Sequence, residues 1–114
     1  MSAVIIHGDA LLMLGDLDEN SVDACVCDPP YDLTAVSRGG SARVAGAGPF
    51  GRNTVDTNGG GFMGKKWDGT GIAFDPALWA LVLRALKPGA HLLAFGGTRT
   101  YHRMTCAIED AGFE

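Results

Sequence analysis

Residues 28–31, Asp-Pro-Pro-Tyr, follow directly on the apolar run Val22–Cys27. Two consecutive prolines leave no backbone N–H at positions 29 and 30, so the turn offers only carbonyl acceptors, and offers them beside a carboxylate. Such a cluster suits a ligand group that is all donor, an NH2. Read for structure alone, the same tetrapeptide is a strand-to-turn exit, with Asp28 held extended by the proline after it and Tyr31 partly buried. Acid-proline exits are common; the form with tyrosine after an apolar strand is much rarer.

Other chemistries fit less well. Gly59 to Lys65 satisfies GxxxxGK, but Lys66 stands where a Ser or Thr would bind magnesium, and the stretch neither follows a strand nor opens a helix. Cys25, Cys27 and Cys106 are odd in number and lack CxxC spacing, which favours neither a disulfide framework nor zinc; Cys25 and Cys27 read as small hydrophobes on one strand face. His7, His91 and His102 show no ligand spacing, and no metal is expected. Between Leu33 and Trp67, five basic residues (Arg38, Arg43, Arg52, Lys65, Lys66) face the single acid Asp56, a balance of +4 inside a chain of net charge −4. That stretch reads either as a solvated glycine-rich loop or as a cationic flap for an anionic polymer.

The elements that must position these residues follow from pattern. Ala3 to His7 reads as a short β-branched strand, Asp9 as the cap of a helix carrying Leu11, Leu12 and Leu14, and Val22 to Cys27 as a second strand covered on both faces. Periodicity vanishes from about residue 32 to residue 72, where eleven of the seventeen glycines lie between Gly39 and Gly71; a long loop is expected. Asp75 and Pro76 open a helix with the apolar stripe Leu78, Val82, Ala85 and Leu86, ended by Pro88-Gly89. His91 to Gly96 reads as a third strand. Thr98 opens a last helix with Tyr101, Met104, Ile108 and Ala111 on one side. The expected fold is α/β, with a parallel three-stranded portion of a sheet. In open parallel sheets ligands bind beyond the carboxyl ends of the strands, where His7-Gly8-Asp9, Asp28 to Tyr31 and Gly96-Gly97 would converge.

The stretch GDALLMLGDLDENSVDACVCDPPYD, continued by the helix with Trp79 and by HLLAFGGTRTYHRM, resembles the amino-methylating DNA methyltransferases. The resemblance implies a Rossmann-like fold, S-adenosylmethionine as methyl donor, and an exocyclic amine of a flipped base as acceptor. Position by position it implies catalytic roles for Asp28, Pro29, Pro30 and Tyr31, and a cofactor site at Asp9, Ala10 and Asp28. The acid at the first motif position leans towards adenine N6 over cytosine N4, where serine is more usual. Carbon-5 methylation needs a cysteine nucleophile after a proline, whereas both nearby cysteines precede Asp28. The family's FxGxG cofactor segment is not found, so the chain resembles the catalytic portion of a permuted member, without that segment and the target-recognition region, and tight cofactor binding is not expected of it alone.

At 114 residues the chain is one domain, burying roughly 65% of its unfolded surface. With 46% hydrophobic and 19% charged residues it has the composition of a globular domain. No apolar run approaches the roughly 18 residues of a membrane span and no signal-peptide layout is present, so a cytoplasmic protein without membrane contact is expected. Two alternatives stay open: a non-catalytic module binding DNA or a partner through residues 33–67, and an enzyme of the same fold acting on RNA or on a protein amide.

Overall fold

A computed structural model describes residues 2–32 and 70–114. Arg38, Arg43, Arg52, Lys65 and Lys66, the expected DNA contacts, and most of the expected loop lie outside the described residues.

Asp9 starts the first helix as expected: its Oδ1 accepts from the Leu11 N–H at 2.9 Å while its own backbone stays extended. Helix α1, Ala10–Gly15, has six residues, too few to persist on propensity. Its support comes from the second half of the chain. There, Asp75 Oδ1 accepts from the Ala77 N–H at 2.9 Å and Pro76 occupies the first position of α2, Pro76–Ala85. The Arg84 guanidinium near the end of α2 donates through Nη2 to the carbonyls of Leu14, Gly15 and Leu17 at 3.2, 3.0 and 2.7 Å. It thus serves carbonyls at the end of α1 that have no partner within the helix.

Strand β1, Val22–Cys27, falls where the apolar run predicts it. It is entered through Asn20 at φ 53°, a left-handed conformation that asparagine tolerates. The Asn20 and Ser21 N–H groups donate to the carbonyls of Arg84 and Ala85 at 3.0 and 2.9 Å, so the strand entry hangs from the end of α2. A 3₁₀ turn, Ile72–Phe74, precedes α2. Trp79 Nε1 donates to its Ala73 carbonyl at 2.9 Å. The expected stripe is buried throughout, and Trp79 joins it.

The sheet has two strands where three are expected. β1 pairs in parallel with β2, Leu86–Ala94. Ala3 to His7 does not pair, and Val4, Ile5 and Ile6 are exposed. β-branched composition makes a segment fit for a pleated surface, but a strand exists only when a neighbour takes its N–H and C=O groups, and no described residue does so.

Two boundaries also move. α2 ends at Ala85, before Pro88-Gly89, and β2 begins at Leu86, earlier than the predicted His91. Pro88 and Gly89, the latter at φ 79°, instead occupy an irregularity in the ladder, whose register jumps from Val22↔Leu86 to Ala24↔His91. Breaker residues here bend a strand rather than stop a helix. The last helix, α3, runs Tyr101–Asp110 and starts after Thr100 rather than at Thr98. Of its expected stripe Met104 is buried, Ile108 and Ala111 pack on the core, and Tyr101 is exposed; Ala107 takes the remaining buried place.

The described architecture is therefore mixed α/β around a small parallel sheet. The core cluster joins Ala73, Leu78, Trp79, Val82, Leu86, Met104 and Ala107, with Leu11, Leu14, Cys25, Cys27, Leu92 and Ala94 packed against it. Cys25 and Cys27 thus share the core face of β1, as their spacing predicts. Val26 and Leu93, register partners on the opposite face, are exposed. Among the described residues no helix is long and apolar enough to cross a membrane.

Candidate functional site

Asp28, Pro29 and Pro30 lie at the carboxyl end of β1, as the strand and the two prolines require. The ladder runs one rung past β2, the Phe95 N–H donating to the Cys27 carbonyl at 3.0 Å, and the prolines then end it. Beneath them opens a cavity of about 460 Å³, lined on the strand side by Cys25 and Cys27 and on the helix side by Met13, Leu14, Trp79 and Val82, with Ile6, Gly8, Ala10, Asp28, Pro29 and Pro30 also contributing. Its volume falls in the roughly 300–1,000 Å³ range of small-molecule sites. Among the described residues of this largely apolar lining, Asp28 is the one carboxylate. Gly8 leaves room that Met13 fills: a Cβ there would lie 2.7 Å from Met13 Cγ, so a side chain at this position would make Met13 shift.

The expected cofactor residues divide. Ala10 and Asp28 line the cavity, whereas Asp9 does not and has Oδ1 engaged in the α1 cap. Met13, Trp79 and Val82 give this cavity apolar walls, and Asp28 gives it a carboxylate acceptor. Of the catalytic set, Asp28, Pro29 and Pro30 line the cavity and Tyr31 stands beside it. Tyr31 is half-buried, and its phenol is held above its ordinary pKa first by a side-chain hydrogen bond to Asp28, then by desolvation and by the nearby carboxylate charge.

Cys27, two positions from Pro29, has its thiol raised from 9.0 to about 11, chiefly by burial, with Cys25 and Asp28 adding to the shift. It is held as a thiol near neutral pH, which makes it a poor nucleophile.

Three residues surround the turn, of which sequence reasoning placed Gly97 at this rim and missed Asp32 and Thr100. Asp32, next after Tyr31, is buried and sits at φ 56°. Thr100 is 2% exposed and donates its hydroxyl to the Tyr31 carbonyl at 2.7 Å. Gly97 abuts the Tyr31 ring. The pair Gly96-Gly97 does stand at a strand end, as expected, but the signal for its role was only its place in the chain. Asp32 carried a signal in its type, since aspartate tolerates the left-handed region.

A second cavity of about 500 Å³, lined by Leu83, Lys87, His91 and Phe113 among others, includes none of the turn residues. Among the described residues no group of three or more His, Cys, Asp or Glu is placed to hold a metal ion. Comparison with family models, with curated proteins and with solved structures finds no match.

Proposed function

We propose that the cavity and its Asp28-Pro29 rim receive an exocyclic amine for methylation, with adenine N6 of DNA as the acceptor and S-adenosylmethionine as the donor, on a Rossmann-like scaffold. The observation that carries this reading is a carboxylate and two donor-free prolines bordering one apolar cavity at a strand's carboxyl end. An aromatic amine is a weak nucleophile because its lone pair is delocalised into the ring. Asp28 and the Pro29 carbonyl, each accepting one N–H, favour a more pyramidal nitrogen with its lone pair freed; this is positioning plus electrostatics. The donor would lie against Ala10, Met13 and Asp28 and supplies an electrophilic methyl group. Tyr31 offers its ring to the base beside the amine it helps to hold. No covalent enzyme intermediate is required, which accords with the protonated Cys27 thiol.

The test is NMR titration of the 114-residue chain with deoxyadenosine and with thymidine, which lacks an exocyclic amine. Resonances of residues 28–31 should respond to deoxyadenosine alone, and Asp28→Ala should abolish the response. Equal responses to both nucleosides, or an unchanged Asp28→Ala variant, would refute the reading. Tritiated methyl transfer to DNA, by the chain extended with an FxGxG segment, then separates an enzyme from a binding module.

A further inference from the structure

Tyr31 is restrained along the chain and across the fold. Pro29 and Pro30 before it have φ locked by their rings. Asp32 after it stands at φ 56°, a left-handed conformation that a non-glycine residue keeps only when its surroundings hold it there. Between them the Tyr31 carbonyl accepts from the Thr100 hydroxyl at 2.7 Å, across 69 residues. Thr100 stands at the N-cap of α3, only 2% exposed, yet its side chain makes no cap bond. A buried hydroxyl committed to one carbonyl fixes that carbonyl, because leaving either group without a partner costs more than the bond is worth in water.

Gly97 bounds the ring of the same residue. A Cβ at Gly97 would lie 3.1 Å from Tyr31 Cδ2, 3.3 Å from Cγ and 3.5 Å from Cβ. These atoms belong to the root of the side chain rather than its tip, so the whole ring would have to move to admit one. The two holding residues are themselves joined: the Gly97 carbonyl accepts from the Thr100 and Tyr101 N–H groups at 3.2 and 2.9 Å. One short turn after β2 thus meets Tyr31 at its carbonyl and at its ring. Tyr31 still keeps part of its surface exposed, next to Pro30 of the cavity lining.

We propose that Gly97 and Thr100 are positioning residues for Tyr31, presetting its ring as the surface against which a planar heteroaromatic ring is received. The functional meaning rests on the amine-methylating reading above; the fixing of the ring does not. A side chain ordered before the ligand arrives loses little freedom when a base settles on it. Stacking answers to a flat π-face and not to the amine, so this role is separate from that of Asp28 and Pro29.

The chain has two tyrosines, so Tyr101→Phe leaves Tyr31 as the only one to follow by NMR. In that background its Hα–Hβ couplings should show a single χ1 rotamer, and its ring Hδ protons an NOE to the Gly97 Hα. Couplings averaged over rotamers in the folded chain overturn the proposal outright. Thr100→Val should bring averaging and weaken the NOE, and Thr100→Ser, which keeps the hydroxyl, should restore the parent values. A Thr100→Val variant that is folded by circular dichroism and keeps the parent couplings and NOE overturns the proposal. If Thr100→Val does not fold, Gly97→Ala carries the test: it retains the hydroxyl but displaces the ring, and an undisturbed ring there overturns the proposal equally. Titration with deoxyadenosine reads the functional part. Tyr31→Ala sets the full loss, roughly five-fold or more in Kd; Thr100→Val should show part of it and Thr100→Ser none. Averaged couplings with parent affinity in Thr100→Val remove the positioning role alone. A fixed ring in a chain that binds deoxyadenosine and thymidine alike removes the methylation reading alone, and a chain that binds neither removes both.

Discussion

Asp28 and Cys27 are adjacent, yet their surroundings assign them opposite parts. Asp28 reaches a cavity rim, while the Cys27 thiol is held up at about 11 by burial and by Cys25 and Asp28. At pH 8 only roughly 0.1% of such a thiol is thiolate. Alkylation with iodoacetamide at that pH, followed by mass spectrometry, should label the exposed Cys106 well before Cys27; equal rates would contradict the assignment. The linkage has a sign. The unfolded chain releases the Cys27 proton near 9.0 and the fold keeps it to about 11, so this contribution to stability is complete below pH 9 and is lost as pH rises towards 11. Tyr31 acts in the same direction, its raised phenol weakening the fold as pH climbs through its titration. The core-facing pair Cys25 and Cys27 was legible from spacing alone, since alternate residues of a strand share a face. The link between Tyr31 and Thr100 was not, because no local pattern tells a capping threonine from one whose hydroxyl is claimed 69 residues away.

Helix α1 shows how an element too short to stand alone is supported. Arg84 makes three charge-assisted hydrogen bonds to carbonyls at or just past its end, whereas its ion pair with Glu19 spans 3.8 Å and involves a largely exposed carboxylate. The carbonyl contacts should dominate. Arg84→Ala is expected to cost about 2–3 kcal/mol, by the magnitude of hydrogen bonds to charged groups, and Glu19→Ala less than about 1 kcal/mol, as for exposed ion pairs; urea unfolding checks both, and comparable losses would reverse the ranking. The 3–7 segment supplies the opposite case. Ile5 is 94% exposed, so Ile5→Lys should change stability by less than about 0.5 kcal/mol, and a loss above 2 kcal/mol would show that the segment is packed. Helix starts were legible because Asp9 and Asp75 are local signals, a side chain two residues from the N–H it accepts. The third strand and the start of β2 were misjudged because pairing is non-local: Ala3 to His7 has strand composition without a neighbour, and Pro88-Gly89 has breaker composition inside a ladder.

At the scale of the molecule, Trp79 belongs to both the core and the cavity wall. It is 1% exposed, its indole N–H donates to Ala73, and it lines the cavity with Asp28. Trp79→Ala should cost about 3–5 kcal/mol, whereas Trp79→Phe, which keeps most of the ring and removes the donor, should cost about 1–3 kcal/mol through the orphaned Ala73 carbonyl; thermal and urea denaturation would show whether the two differ as ordered. The α/β class was legible from the alternation of apolar runs and capped helices. The cavity was not, since its walls come from segments on either side of residues 33–69. The parallel pairing of β1 with β2 has a kinetic side as well. Every rung joins residues at least 64 apart, from Val22↔Leu86 onward, and non-local pairings of that kind are the slow ones in folding. During synthesis the Asp-Pro-Pro-Tyr turn emerges long before Leu86–Ala94 and Thr100, so it stays an open chain until they arrive. The turn and the residues that grip Tyr31 then come together in a single late event.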